Sequence, residues 1–331
     1  MSFLGSPNLG TNYHLSDINT VYSKVRLNLK SQNIMAALKT NEKKMISKTL
    51  IIILGLLMLN MTQATEYSFQ VSVEGSGQPI ILIPGLSSHG SVWDGTVAKY
   101  KSNYQTHVIT LPGFAGVEPM DLSSGFLVPI KEELLDYIES NNLQDPILIG
   151  HSLGGFMAML MAIDKPSGFD KIIIVDSAPF FSALQNPMAT VDSAKAMADM
   201  TRNQMKGQSK EMLAASLDMM LPAMILDKEN IEIAKNWGLN SDGPTVGLAM
   251  YELMTTDLRD KIEIIESPVM LLGAWIAYKN YGATHESVES NYTSQYSKVK
   301  DFQIHLTDVG QHFIMWDDAE FYFKNLNKFL K

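Results

Sequence analysis

The stretch ILIGHSLGG at residues 147–155 links a short apolar run to a second apolar run that continues to residue 163. The first run is typical of a strand buried on both faces, and the second is typical of a helix. Between them, Gly150, Ser152 and Gly154 form the pattern Gly-x-Ser-x-Gly. In a strand–turn–helix, a Cβ atom at either glycine would collide with a neighbouring segment, and the serine is lifted out of the sheet. The spacing therefore predicts a sharp turn that exposes the Ser152 hydroxyl.

The helix that begins after Ser152 directs its free amino-terminal N–H groups towards that hydroxyl. The backbone N–H of Leu153 can then stabilise negative charge that develops on a carbonyl oxygen. A Gly-x-Ser-x-Gly pentapeptide by itself arises by chance in many proteins. Because a strand precedes this one and a helix follows it, we interpret Ser152 as a nucleophile.

Outward from this turn, short apolar runs alternate with helical patterns. The predicted strands are residues 67–73, 79–83, 107–111, 146–149, 171–175, 268–272 and 302–306. Helical patterns cover residues 91–101, 126–142 and 318–330. This alternation predicts an α/β fold, with a mainly parallel sheet and helices on both faces. Residues 180–260 contain helical patterns but no convincing strand, which predicts an inserted helical cap.

The chain resembles the α/β-hydrolase-fold serine hydrolases, in particular the esterase- and lipase-like members with a helical cap. The resemblance covers about residues 66–331. Its marks are GHSLGG at 150–155, PGL at 84–86, LPGF at 111–114 and GQHF at 310–313. It implies hydrolysis through a catalytic triad without a cofactor or a metal, and it does not specify the substrate.

The resemblance also implies roles for individual residues. In the family, the residue after such a Pro-Gly pair donates the second N–H of the oxyanion hole, which assigns Leu86 to that role beside Leu153. The family takes its general base from the loop between the last strand and the last helix, which points to His312. His151 occupies the variable position of the turn and is interpreted as structural. His89 follows the PGL motif and could line the pocket.

The acid of the triad departs from the common pattern. Most members of the family carry it just after the strand that corresponds to residues 268–272, but residues 273–278 contain no acid. Asp176, directly after a predicted strand, is one candidate, at a position that some α/β-hydrolases use. Glu286 is the alternative if its loop folds back towards His312. We favour Asp176.

Composition limits the classes of protein that this chain can belong to. The 331 residues are 46% hydrophobic and 18% charged, which is ordinary for a globular protein. The chain has no cysteine, which excludes a disulfide scaffold, a thiolate-bound zinc and a cysteine nucleophile. Residues 1–64 carry a net charge of +5, so the remainder carries −14. An acidic body repels phosphate backbones, so we expect no nucleic-acid partner.

The amino-terminal region is typical of an export signal. Three lysines between residues 43 and 48 precede an apolar run at 49–61, and Thr62 and Ala64 then place small side chains at the two positions that a signal peptidase reads. The run is shorter than the roughly 20 residues that span a bilayer. We therefore expect residues 45–64 to be a cleaved signal peptide, the mature protein to be periplasmic or secreted, and no stable membrane span to remain. Residues 1–44 are interpreted as a non-native or disordered extension of the reading frame.

These features lead to one favoured function and several alternatives. The favoured function is hydrolysis of a carboxylic ester, lactone or thioester through an acyl-enzyme intermediate on Ser152. Alternatives on the same fold are an aminopeptidase-like, carbon–carbon bond hydrolase or haloperoxidase activity, and the alternative from another class is an inactive ligand-binding relative. Ten methionines fall in the predicted cap, and methionine suits adaptable apolar surfaces. They favour a small hydrophobic ester-like substrate.

Overall fold

A computed structural model of the chain describes residues 26–28, 30–40 and 67–331. The chain divides into two units, residues 1–66 and residues 67–331. The export signal predicted at residues 45–64 lies outside the described residues and stays a prediction. No helix in the described ranges is both long enough and apolar enough to cross a membrane.

In the first unit, residues 26–28 and 30–40 are helical and exposed. That residues 1–44 are a non-native or disordered extension of the reading frame stays a prediction. Leu27, Ile34 and Leu38 recur at helical spacing, a weak apolar period that explains the helix. Their side chains are more than half exposed.

The second unit is built on a seven-stranded sheet in the order β1-β3-β2-β4-β5-β6-β7. Its strands are β1 Gln70–Gly75, β2 Gln78–Ile83, β3 Tyr104–Thr110, β4 Ile147–His151, β5 Ile172–Val175, β6 Val269–Ala274 and β7 Phe302–Thr307. Only β1 is antiparallel to its neighbour, and all the other pairs are parallel. The predicted α/β fold class is confirmed.

Helices cover both faces of this sheet. In chain order, the α-helices of this unit are α1 Asp94–Tyr100, α2 Leu127–Ser140, α3 Leu153–Asp164, α4 Ser182–Gln185, α5 Val191–Gly207, α6 Lys210–Met220, α7 Lys228–Leu239, α8 Gly243–Thr255, α9 His285–Gln295, α10 Ile314–Asp317 and α11 Ala319–Phe329. Because side chains alternate along a strand, Leu148 and Ile172 pack into the core with α2 and α3, whereas Ile149 and Ile173 pack into the core with α1 and α11. The central strands are buried on both faces, which accounts for their wholly apolar sequences.

Residues 180–260, here called the cap, lie between β5 and β6 in the chain and contain no strand among these described residues. The helices α5 and α8 approach closely, because a Cβ atom at Gly247 would lie 2.8 Å from the carbonyl oxygen of Arg202. Six of the ten cap methionines are exposed. Met219 is 83% exposed and Met188 is 84% exposed. These six side chains therefore do not line an enclosed pocket, and they do not support the expectation that the cap methionines favour a small hydrophobic substrate.

Candidate active site

Ser152 lies at the turn between β4 and α3, in a strained backbone conformation. Its φ is 53° and its ψ is −116°, and its N–H donates to the carbonyl of Val175 at 2.9 Å. A Cβ atom at Gly150 would lie 2.2 Å from the carbonyl oxygen of Gly154, and one at Gly154 would lie 2.1 Å from that of Ile83. A positive φ in a residue with a side chain costs about 1–3 kcal/mol, and the surrounding backbone holds it in place. The turn is therefore fixed by contacts between backbone segments.

Asp176 follows β5 in the same way, with a φ of 51°. Its Oδ2 lies 2.6 Å from Nδ1 of His312. Its Oδ1 accepts hydrogen bonds from the N–H of Ala274 at 2.7 Å and from the hydroxyl of Tyr292 at 3.0 Å. Because β5 and β6 are adjacent parallel strands, their carboxyl ends meet at one edge of the sheet. The strand that carries the acid in most of the family thus supplies a backbone donor to Asp176 here.

The Asp176 carboxylate is almost fully enclosed, with its side chain 1% exposed. Burial, and then the charge of Asp176, raises the pKa of Tyr292 well above its usual value. The same two causes raise the pKa of Tyr296. These phenols therefore stay neutral near a carboxylate that only accepts hydrogen bonds. A carboxylate oxygen can only accept a hydrogen bond, so Nδ1 of His312 is the donor in its contact with Asp176.

Glu286, the alternative acid, does not approach His312. It lies in the exposed first turn of α9. Thr284 and Ser287 form a capping box there, each side chain accepting from the other's backbone N–H. This local signal begins a helix where the sequence analysis allowed a loop that folds back.

The loop after β2 brings Leu86 to the same edge of the sheet. A Cβ atom at Gly85 would lie 3.2 Å from Cβ of Ser152, so the loop and the serine are close neighbours. Within residues 67–331, the backbone N–H groups of Leu86 and Leu153 donate to no protein acceptor. Two free N–H groups beside a nucleophile are what an oxyanion hole requires. Thr110 supports the loop, because its hydroxyl accepts a hydrogen bond from the N–H of Gly90 at 2.9 Å.

The Ser152 hydroxyl and the His312 imidazole are not hydrogen-bonded to each other in this structure. In the described part of the chain, neither the Ser152 hydroxyl nor Nε2 of His312 has a hydrogen-bond partner, and Ser152 is partly exposed. Catalytic contacts of this kind often tighten only when substrate binds. The site thus holds an oriented imidazole, a raised hydroxyl and two free amides at one edge of the sheet.

The comparison with protein families decides where the chain belongs. A model of the alpha/beta hydrolase family matches residues 80–324, a range that contains Ser152, Asp176 and His312. The chain belongs to the alpha/beta hydrolase family. The predicted resemblance is confirmed.

Relatives of this hydrolase include esterases. The pimeloyl-(acyl-carrier protein) methyl ester esterase of Vibrio cholerae is 28% identical over 211 residues, covering 60% of this chain and 76% of the relative. The esterase of the same name from Aeromonas salmonicida is 33% identical over 115 residues, which is 34% of this chain and 44% of the relative. These matches support a hydrolase of the esterase type.

Solved structures agree on the fold. The enol-lactonase of Burkholderia xenovorans LB400 superimposes with a TM-score of 0.64 at 14% identity, covering 79% of this hydrolase and 96% of that chain. An esterase from Exiguobacterium antarcticum superimposes with a TM-score of 0.65 at 15% identity, covering 79% of this hydrolase and 94% of that chain. At such identities the likeness establishes the fold alone.

Sequence reasoning missed the contacts of His151. Its Nε2 donates to the carbonyl oxygen of His312 at 3.0 Å, and the two rings lie 4.6 Å apart. Its Nδ1 is buried without a partner among the described residues. Burial, and then the nearby His312, lowers the pKa of His151 well below its usual value. A neutral imidazole thus supports the loop that carries His312, a contact across 161 positions that no local pattern reveals.

Proposed function

We propose that this hydrolase cleaves carboxylic esters through an acyl-enzyme on Ser152, with His312 as general base and acid and Asp176 as the orienting carboxylate. The observation that supports it most is the 2.6 Å contact of Asp176 with Nδ1 of His312. A carboxylate at Nδ1 selects the tautomer whose Nε2 can accept a proton. Lactones and thioesters undergo the same chemistry and belong to the same proposal.

The reaction follows from these positions. Ser152 Oγ attacks the carbonyl carbon while Nε2 of His312 takes the hydroxyl proton. The oxyanion accepts hydrogen bonds from the N–H groups of Leu86 and Leu153. The protonated imidazole then gives its proton to the leaving alcohol, and water releases the acid by the same steps in reverse order. Asp176 stays a carboxylate throughout and stabilises the imidazolium.

The surroundings of His312 favour an apolar substrate group. Phe313 stacks on Trp316 with ring centroids 5.1 Å apart, and Trp316 lies 5.4 Å from Trp237 of the cap helix α7. These uncharged rings join the loop of the base to the cap. An apolar acyl group beneath the cap would be desolvated at little cost, whereas a charged one would lose hydration without a partner.

A panel of p-nitrophenyl esters of increasing acyl length tests this proposal. We expect kcat/KM to rise from the acetate to longer acyl groups. Ser152→Ala should lower turnover on the order of 10⁶-fold, because the nucleophile acts as a unit with its base. A preference for charged esters would contradict the substrate class. Undiminished turnover in Ser152→Ala would contradict the mechanism, and labelling of Ser152 by a fluorophosphonate separates an enzyme from an inactive ligand-binding relative.

A further inference from the structure

The cap turn between α6 and α7 is hydrogen-bonded to the loop after β7 and to the end of α10. The N–H of Phe313 donates to the carbonyl oxygen of Met224 at 3.3 Å. The N–H of Leu226 donates to Oδ1 of Asp317 at 3.0 Å. The two segments are therefore joined in both directions, once by backbone alone and once through a side chain.

The same Asp317 carboxylate also binds the loop that carries the base. Its Oδ2 accepts a hydrogen bond from the N–H of Gln311 at 3.0 Å. The N–H of Asp317 in turn donates to the carbonyl oxygen of Phe313 at 3.0 Å. Gln311 and Phe313 are the two chain neighbours of His312, so Asp317 holds the backbone on both sides of it.

We propose that Asp317 is a positioning residue that ties the cap turn to the backbone around His312, so that the base and the cap keep their places together. This inference rests on the function proposed above and adds a residue to it. A carboxylate suits the position because both of its oxygens accept, and each faces a backbone N–H from a different segment. An imidazole displaced by even about 1 Å would transfer the serine proton poorly.

Burial and the neighbouring polar groups act on the pKa of Asp317 in opposite directions. Burial is the largest influence and raises the pKa of Asp317, and the nearby Asp227 raises it further. The N–H groups of Leu226 and Gln311 and the charge of His312 act in the opposite direction. The carboxylate is thus partly desolvated, and its two backbone donors offset that cost.

The variant Asp317→Asn tests the link with little change of shape. The amide has one accepting oxygen, and its NH₂ group would face one of the two backbone donors. We expect the second-order rate of Ser152 labelling by a fluorophosphonate to fall about tenfold or more, since imidazole misplacement slows the reaction. We also expect faster amide hydrogen exchange in the peptides that contain Leu226 and Gln311.

Two further variants make the result specific. Glu320→Gln removes the same charge three residues away, at an exposed position whose carboxylate has no hydrogen bond in the described chain, and should label at the wild-type rate. Asp317→Glu keeps both accepting oxygens, so we expect Ser152 to be labelled at least threefold faster in this variant than in Asp317→Asn. If Asp317→Asn fails to fold, the labelling rate of Asp317→Glu is compared with that of the wild type instead.

The possible failures are distinguishable. Absence of labelling in the wild type would overturn the proposed function, and this inference with it. Wild-type labelling that is unchanged in Asp317→Asn would overturn only the role of Asp317. Equal slowing in Glu320→Gln, or a folded Asp317→Glu as slow as Asp317→Asn, would also overturn that role.

Discussion

The carboxyl edge of the sheet and the cap use the same residue types in opposite ways. At the sheet edge, a Cβ atom on Gly154 would lie 2.1 Å from the carbonyl oxygen of Ile83. At the end of the cap helix α5, one on Gly207 would meet no atom within 4 Å. Methionines also differ between the body of the fold and the cap, because Met161 of α3 is 0% exposed and Met219 of the cap is 83% exposed.

This difference indicates which part of the molecule tolerates amino-acid substitution. Close contacts of the backbone hold Ser152, and a buried carboxylate holds His312, so small displacements there carry large costs. The cap presents flexible apolar side chains to solvent, and substitutions on such a surface usually change stability by less than about 0.5 kcal/mol. We therefore expect the chemistry to be set at the sheet edge, and the choice of substrate to vary with the cap.

The largest expected effect separates the two candidate acids. Asp176→Asn should lower turnover about 10⁴-fold, because the amide no longer selects the tautomer of His312 that can accept a proton. Glu286→Gln, the matched control in the exposed first turn of α9, should leave turnover unchanged. The steady-state turnover of one ester substrate, measured in both variants and in the wild type, checks this prediction. Less than a tenfold loss in Asp176→Asn would show that His312 acts without this carboxylate.

A pair of glycine variants tests the contrast in packing. Gly154→Ala should lower the free energy of unfolding by more than about 4 kcal/mol, or prevent folding, since its Cβ has no space against backbone atoms. Gly207→Ala should change it by less than about 1 kcal/mol, and could raise it, because alanine favours a helix. Urea denaturation measures both. Similar free energies of unfolding for the two variants would contradict the proposed difference in packing between the sheet edge and the cap.

A smaller effect is the dependence of the free energy of unfolding on pH. It should arise outside the cap, because the cap contains no histidine. Burial lowers the pKa of His107 in the folded protein from its ordinary value of 6.5. Below that pH the unfolded chain binds a proton that the folded chain does not. The free energy of unfolding should therefore fall as pH decreases, by at most about 1.4 kcal/mol per pH unit for each such histidine.

Denaturation between pH 7 and pH 5 checks the sign. His107→Gln should give a shallower dependence than the wild type. Tyr137→Phe is the control, since it removes the phenol that contacts His107 at 2.7 Å but keeps the buried histidine. Equal slopes in His107→Gln and the wild type would contradict the assignment.

Patterns that act over a few residues predicted most of this molecule. The apolar runs that form β2, β4, β5 and β6 could be predicted as strands, because a strand buried on both faces is apolar throughout. The turn at Ser152 was predictable because only glycine fits at the two positions where neighbouring backbone segments come close. The acid of the triad could be narrowed to two candidates. Asp176 was favoured because a residue directly after a parallel strand lies at the carboxyl edge of the sheet.

The remainder depends on contacts between distant positions or on weak local signals. The donation of Ala274 to Asp176 needs the pairing of β5 with β6, and the contact of Asp317 with the cap turn joins positions 91 residues apart. The capping box at Thr284 was a local signal that the sequence already contained, and it predicts the helix that begins at His285 with Glu286 in its first turn. The exposure of the cap methionines could not be predicted, because an apolar helix pattern does not say whether a partner covers it.

The most direct test of the central claim is to capture the covalent intermediate. The wild-type protein is mixed with a p-nitrophenyl ester, quenched in acid during turnover, digested and analysed by mass spectrometry. The proposed chemistry predicts one acyl group, on the peptide that contains Ser152, and none at that position in Ser152→Ala. An acyl group on another residue, or turnover without any acylated peptide, would contradict it.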